Sequence, residues 1–183
     1  IDHKIQKAFF YKTRSQLPQP LIVSLHTWCG FYSQKDELAN LCLHRDINYI
    51  HPNFRGANFS KDACCSELAL SDIDESITYA INNAHVDSSR IIVIGGSGGG
   101  YATLSTFMKS KHTIWKFSAW ASITDLIAWH HESKVLSNNY HNNIMACTES
   151  KQGILNETNA KLRSPIYWST PIDKFSNSHL FIY

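Results

Sequence analysis

Gly95-Gly96-Ser97-Gly98-Gly99 is the stretch of this chain whose residue types and spacing converge most sharply on one chemistry. It satisfies G-x-S-x-G directly after the apolar run Ile91-Ile92-Val93-Ile94 and directly before residues that read as a helix. A serine on a tight strand-to-helix turn is forced into strained backbone angles, so its neighbours must be small. The turn lifts Oγ above the sheet, where a base and a substrate carbonyl can both reach it. The helix start aims free N–H groups and the positive end of its dipole at a developing oxyanion. Ser97 is therefore the candidate nucleophile and the Gly98 amide a candidate oxyanion donor, with Gly95, Gly96 and Gly99 shaping the turn. A phosphate-binding turn is the competing reading. G-x-G-x-x-G fails in every register between Gly95 and Gly100, and no Gly-Lys-Ser/Thr follows. An inert connector of six consecutive small residues is the bland alternative.

A second signal lies upstream. Leu25-His26-Thr27-Trp28-Cys29-Gly30 follows an apolar run, where serine hydrolases built on a strand-turn-helix nucleophile place the loop supplying the other oxyanion donor. The Trp28 amide is that candidate; the alternative is an ordinary packing tryptophan. Phe31, Tyr32 and Trp129, with Trp28, are candidates for a pocket rim that receives an apolar or ring-shaped group, and equally for core.

The elements that must position these groups alternate. Ile5 to Tyr11 reads as an early, partly exposed strand and Leu21 to His26 as a buried one. A helix is predicted from about Gln34 to His44, N-capped by Ser33, and a strand over Ile47 to Ile50, stopped by Pro52. Ser71 is the expected cap of a helix whose Ile73, Ile77, Ala80 and Ile81 share one face. Arg90 to Ile94 is a strand, Gly98 to about Lys109 a helix, Trp115 to Ala121 a strand. Leu126 to Ser164 reads as helical and irregular, a cap or insertion, and His179 to Tyr183 as a last buried strand. Apolar runs in place of period-two strands, alternating with helices, predict an α/β domain over residues 1–183 with a mostly parallel sheet covered on both faces.

With those residues in place the chain resembles the prolyl-oligopeptidase-like and acyl-esterase branch of the α/β-hydrolases. The resemblance is carried by Pro20 to His26, Pro52-Asn53-Phe54-Arg55-Gly56-Ala57-Asn58, Asp72-Ile73-Asp74, the Ser97 turn, Ser122-Ile123-Thr124-Asp125-Leu126 and Arg163-Ser164-Pro165-Ile166-Tyr167-Trp168. It implies a serine nucleophile and an acyl-enzyme, with no cofactor and no metal. Two departures stand out. Thr27 occupies the position where the family carries glycine in its His-Gly oxyanion loop. The family places its triad acid just after the strand corresponding to His179–Tyr183, with the histidine on a later loop, so the resemblance implies a final strand and helix, and a triad acid and base, beyond Tyr183. Asp125 is the internal alternative for the acid, at a position some lipases use, although the resemblance gives it a structural role. His130, His131 and His141 lie nearby. His26 reads as a loop-orienting hydrogen-bonder. His130-His131-Glu132 lacks the second histidine of a zinc-protease helix.

Composition narrows the classes. A chain of 183 residues, 43% hydrophobic, can bury a core without disulfides or metals. Net charge is +2 with basic residues scattered, which argues against nucleic acid as a partner, and no apolar run approaches a membrane span. Five cysteines without regular spacing read as free thiols in a reducing compartment, hence a cytoplasmic setting. Asn58-Phe59-Ser60 and Asn156-Glu157-Thr158 match the glycosylation pattern by letter. The expectation is a serine hydrolase acting on an ester, such as an acetyl ester, because no propeller that would restrict it to short peptides is present. A peptidase is the alternative, and a non-catalytic binding protein the rival from another class.

Overall fold

The computed structural model describes residues 2–183. Six strands form one sheet in the order β1-β3-β2-β4-β5-β6: β1 (Ala8–Tyr11), β2 (Gln19–Leu25), β3 (Asn48–Pro52), β4 (Val86–Gly96), β5 (Lys116–Trp120) and β6 (His179–Ile182). Only β1, paired with β3, runs antiparallel; the other pairs are parallel. The chain steps from β2 outward to β3, returns to β4 on the other side of β2, then proceeds to β5. The order therefore reverses between β2 and β4, and their carboxyl ends flank the crevice where sheets of this kind seat ligands.

Leu21, Val23 and Leu25 of β2, Ile50 of β3, Ile91 and Val93 of β4, and Phe117 of β5 are buried in one core. Packed on it are α2 (Glu67–Asn83), through Ile73, Ile77 and Ala80, and α3 (Gly98–Lys109), through Ala102 and Phe107. Side chains alternate across a strand, so Ser24 and Tyr49 point to the other face. There both donate to Asp36, at 2.5 and 2.6 Å. Asp36 is the N-cap of α1 (Glu37–Arg45) and accepts from the Leu38 amide. The cap is thus Asp36 and not Ser33, because the sheet itself holds that carboxylate. The next helix starts earlier than expected, capped by Ser66 through the Ala69 amide, which leaves Ser71 inside it.

Coverage of the sheet is uneven. In β4, Ile91, Val93 and Gly95 are buried whereas Ile92, Ile94 and Gly96 are half-buried. The expected burial of β6 is also corrected: it is an edge strand whose Phe181 and Ile182 are exposed, because only β5 pairs with it among the described residues. Between β5 and β6 lie α4 (Leu126–Val135), α5 (Tyr140–Cys147), α6 (Glu157–Leu162) and α7 (Ile172–Asn177).

Arg55, on the loop after β3, forks onto Asp72 of α2 at 2.7 and 2.9 Å, both side chains 4% exposed. Phe54, Arg55 and Gly56 all have positive φ, and this left-handed run aims the Arg55 guanidinium back at α2.

Candidate active site

Ser97 stands between the last residue of β4 and the first of α3, exposed, at φ 55° and ψ −119°. A residue with a side chain rarely adopts that combination; it persists only where surroundings over-determine it. Here the Ser97 amide donates to Trp120 O at 2.8 Å, at the end of β5, and the Tyr101 amide donates back to Ser97 O at 2.9 Å. The serine hydroxyl does not cap the helix.

The glycines differ in what they do. A Cβ on Gly95 would collide with the Gly99 backbone, and one on Gly99 with the carbonyl of Leu25. Both are needed because strand and helix touch. Gly96 has room for a side chain at ordinary contact distance. A Cβ on Gly100, one residue past the G-x-S-x-G stretch, would strike Ser122 Oγ and Trp120 O.

Gly98 and Trp28 are brought together. A Cβ on Gly98 would run into the Trp28 amide nitrogen and Cα. As the first residue of α3, Gly98 has an N–H with no carbonyl one turn back. Among the described residues the Trp28 amide donates to no backbone carbonyl. The Gly98 backbone and the Trp28 amide are thus close neighbours, next to an exposed serine.

The turn carrying Trp28 is fixed from three sides. Trp28 O accepts from the Asn58 amide at 2.9 Å and from Asn58 Nδ2 at 3.2 Å. Thr27, the departure from glycine, keeps its side chain on the outside: its Oγ1 and its N–H both donate to Gln34 Oε1, at 2.8 and 3.1 Å. Thr27 O accepts from the Gly30 amide and faces His26 Nδ1 at 2.9 Å. Asn58 and Gln34 were not singled out as site residues, though Asn58 closes one of the stretches that carried the family resemblance.

His26 is buried, stacked on Phe54 at 3.8 Å, with Nε2 2.9 Å from Asn53 O. Burial pushes its imidazole below the ordinary range. Both ring nitrogens face backbone carbonyls, so it orients the loop, as read from sequence. Among the described residues no imidazole hydrogen-bonds Ser97. His112 binds Thr78 and Asp74, His141 binds Asn138 O, and His51 and His130 are buried with no hydrogen-bond partner for either ring nitrogen, His51 Nδ1 lying 4.0 Å from Asp36 Oδ2. Asp125, the internal alternative acid, caps α4: Oδ1 accepts from the Ile127 and Ala128 amides and Oδ2 from Tyr167. No histidine is among these partners.

The expected aromatic rim is partly displaced. The Trp28 indole is buried, edge-on to Trp129 at 4.7 Å, because it fills the gap between α3 and α4. Trp129 and Tyr32 are half-buried and Phe31 is exposed. Trp120 and Tyr183 stack at 4.2 Å at the ends of β5 and β6. Two surface clefts, one against the N-terminal segment and α2, the other beside Arg14 and His85, are lined by neither Ser97 nor Trp28. Among the described residues no group of three His, Cys, Asp or Glu is arranged to hold a metal ion, and no helix is long and apolar enough to cross a membrane. The two glycosylation patterns fall on engaged asparagines: Asn58 is buried, and Asn156 caps α6.

The sequence profile of the prolyl oligopeptidase family matches residues 35–167. Solved structures with the same fold include an acylaminoacyl peptidase from Pyrococcus horikoshii, with 15% identity and TM-score 0.72, covering 97% of this chain and 34% of that one. Prolyl oligopeptidase B from Galerina marginata matches with 11% identity and TM-score 0.65, over 97% of this chain and 28% of its own. A Silicibacter protein described as a thioesterase matches with 16% identity and TM-score 0.65, over 96% of this chain and 60% of its own. The chain thus spans about a third of the length of those peptidases. No curated protein sequence matches it.

Proposed function

The chain belongs to the prolyl oligopeptidase family, and from that premise we propose that it carries the nucleophile and oxyanion site of a serine hydrolase that cleaves acyl bonds through a Ser97 acyl-enzyme. The observation that carries the reading is the exposed, strained Ser97 beside the Gly98 backbone that packs on the Trp28 amide.

In this reading Ser97 Oγ attacks the carbonyl carbon of the substrate, and the carbonyl oxygen takes the electron pair as it becomes tetrahedral. The amides of Gly98 and Trp28 donate to that oxygen. Collapse of the intermediate expels the leaving group, which departs with the proton given up by the Ser97 hydroxyl; water then adds its OH to the acyl carbon and returns its other proton to Ser97 Oγ. The donors are preset by Asn58, Gln34 and the helix start, so little reorganisation is needed as charge develops. The general base is not assigned to any of the ten histidines in the sequence.

For the bond cleaved, the peptide reading is favoured over the ester expected from sequence. The family and the two peptidase structures support it. The ester reading is kept by the thioesterase-described structure, of whose own length this chain covers 60%.

A fluorophosphonate probe tests the core of the proposal. Labelling of the wild type that disappears in Ser97→Ala supports it. Absence of labelling in a folded wild-type protein within its full-length gene product overturns it in favour of a binding role. Peptide amides against thioesters and acetyl esters then separate the substrate classes.

A further inference from the structure

Cys64 and Cys147 are 83 residues apart in the chain, yet their Sγ atoms lie 2.9 Å apart, both residues wholly buried. Cys64 belongs to the loop ahead of α2; Cys147 ends α5. The backbone at Cys64 is held with unusual firmness. Cys64 and Cys65 are consecutive left-handed residues, at φ 54° and 49°, with no glycine to ease the turn. The Cys64 amide donates to Asn58 Oδ1 at 2.7 Å, and its carbonyl accepts from Tyr101 Oη at 3.0 Å and from Arg163 at 3.4 Å. These bonds turn the Cys64 side chain onto α5. The other three cysteines are placed differently: Cys29 is exposed, Cys42 lies in α1, and Cys65 is chain-adjacent to Cys64.

We propose that Cys64 and Cys147 join in an intramolecular disulfide that fastens α5 to the loop ahead of α2. The same loop presents Asn58, which holds Trp28 O, so the bond steadies the turn that carries the Trp28 amide. That consequence rests on the reading of Ser97 as nucleophile; the bond itself does not. The oxidant is a low-molecular-weight disulfide, RSSR. One cysteine thiolate attacks it, forming a mixed disulfide and expelling RS⁻. The second thiolate attacks the mixed disulfide, closing the Cys64–Cys147 bond and expelling the other RS⁻. The two protons lost by the cysteines leave two RSH, and two electrons pass from the protein to the oxidant. Burial pushes the Cys64 thiol well above its ordinary value, so exchange belongs to the stage before α5 docks.

The test is a thiol count on the full chain, refolded from urea with oxidised and reduced glutathione or with dithiothreitol alone. A parallel folded sample is held in the glutathione mixture. Each is blocked with N-ethylmaleimide in denaturant and read by intact mass and by non-reduced peptide mapping. The proposal expects two labels fewer than the five cysteines after refolding with glutathione, and a peptide linking Cys64 to Cys147. It also expects full labelling after dithiothreitol, and no loss of labels in Cys147→Ser. Five labels in both glutathione samples, or a link through Cys29, Cys42 or Cys65, overturns it. Because the readout is covalent, it stands whether or not Ser97 reacts with the fluorophosphonate.

Discussion

The Gly98 backbone lies so close to the amide of Trp28 that no side chain fits between them. The helix that begins after Ser97 and the turn that follows β2 are therefore not merely neighbours across the crevice. They meet at the two amides on which the proposed chemistry depends.

Gly98→Ala tests that contact directly. The added methyl must push Trp28 and α3 apart, displacing one donor from the other. Fluorophosphonate labelling is expected to slow by about 10²–10³, the usual cost of losing one oxyanion donor. An unchanged rate in folded protein would remove Trp28 from the site.

Asn58→Ala removes the Nδ2 bond to Trp28 O and the acceptor for the Cys64 amide, leaving the backbone bond to Trp28 O in place. Stability is expected to fall by about 1–3 kcal/mol from the unsatisfied buried groups, with labelling slowed roughly tenfold as the turn loosens. Tyr101→Phe is the control: it loses a buried hydroxyl that binds Cys64 O and Arg163 O but leaves the turn alone, and should label at the wild-type rate. Equal slowing in both variants would reduce Asn58 to a purely structural residue.

Asp36 links stability to pH. Burial opposes its ionisation, but hydrogen bonds from Ser24, Tyr49 and the Leu38 amide outweigh this and hold its carboxyl below the ordinary value of 3.8. A carboxyl depressed in the folded state contributes stability that is complete above the unfolded value and is lost as pH falls through the folded one. Asp36→Asn keeps a competent cap but loses the charge that Ser24 and Tyr49 donate to, so it should cost about 2 kcal/mol near neutral pH, and the gap to wild type should close below about pH 4. Urea denaturation at a series of pH values reads this; a gap that stays constant down to acid would contradict it.

Asp125→Asn discriminates between a helix cap and a triad acid. Asparagine caps nearly as well as aspartate, so labelling should be unchanged and stability lowered by no more than about 1 kcal/mol. A loss of labelling on the order of 10³ or more would restore Asp125 as the acid.

The serine turn was legible because its signals are local: four apolar β-formers, a run of glycines and a helix, all within about twenty residues. The starts of α1 and α2 were not, since Ser33, Asp36, Ser66 and Ser71 are all competent caps by residue type. The choice of Asp36 is made by Ser24 and Tyr49 from the sheet, and no local pattern carries that. The apolar letters of β4 and β6 suggested burial on both faces, yet strand order and edge position decide exposure, and these are properties of the assembled sheet. Gln34 and Asn58 are not recognisable as supports of the site from sequence for the same reason. Each reaches the Thr27-Trp28 turn across a gap in sequence, and only the fold closes it.

The backbone at Ser97 has an evolutionary corollary. Its angles suit glycine better than any side-chain-bearing residue, so a population selected for heat tolerance alone should drift toward glycine at position 97, gaining on the order of 1 kcal/mol. Retention of the hydroxyl there under such selection would mark a burden the organism keeps for its chemistry.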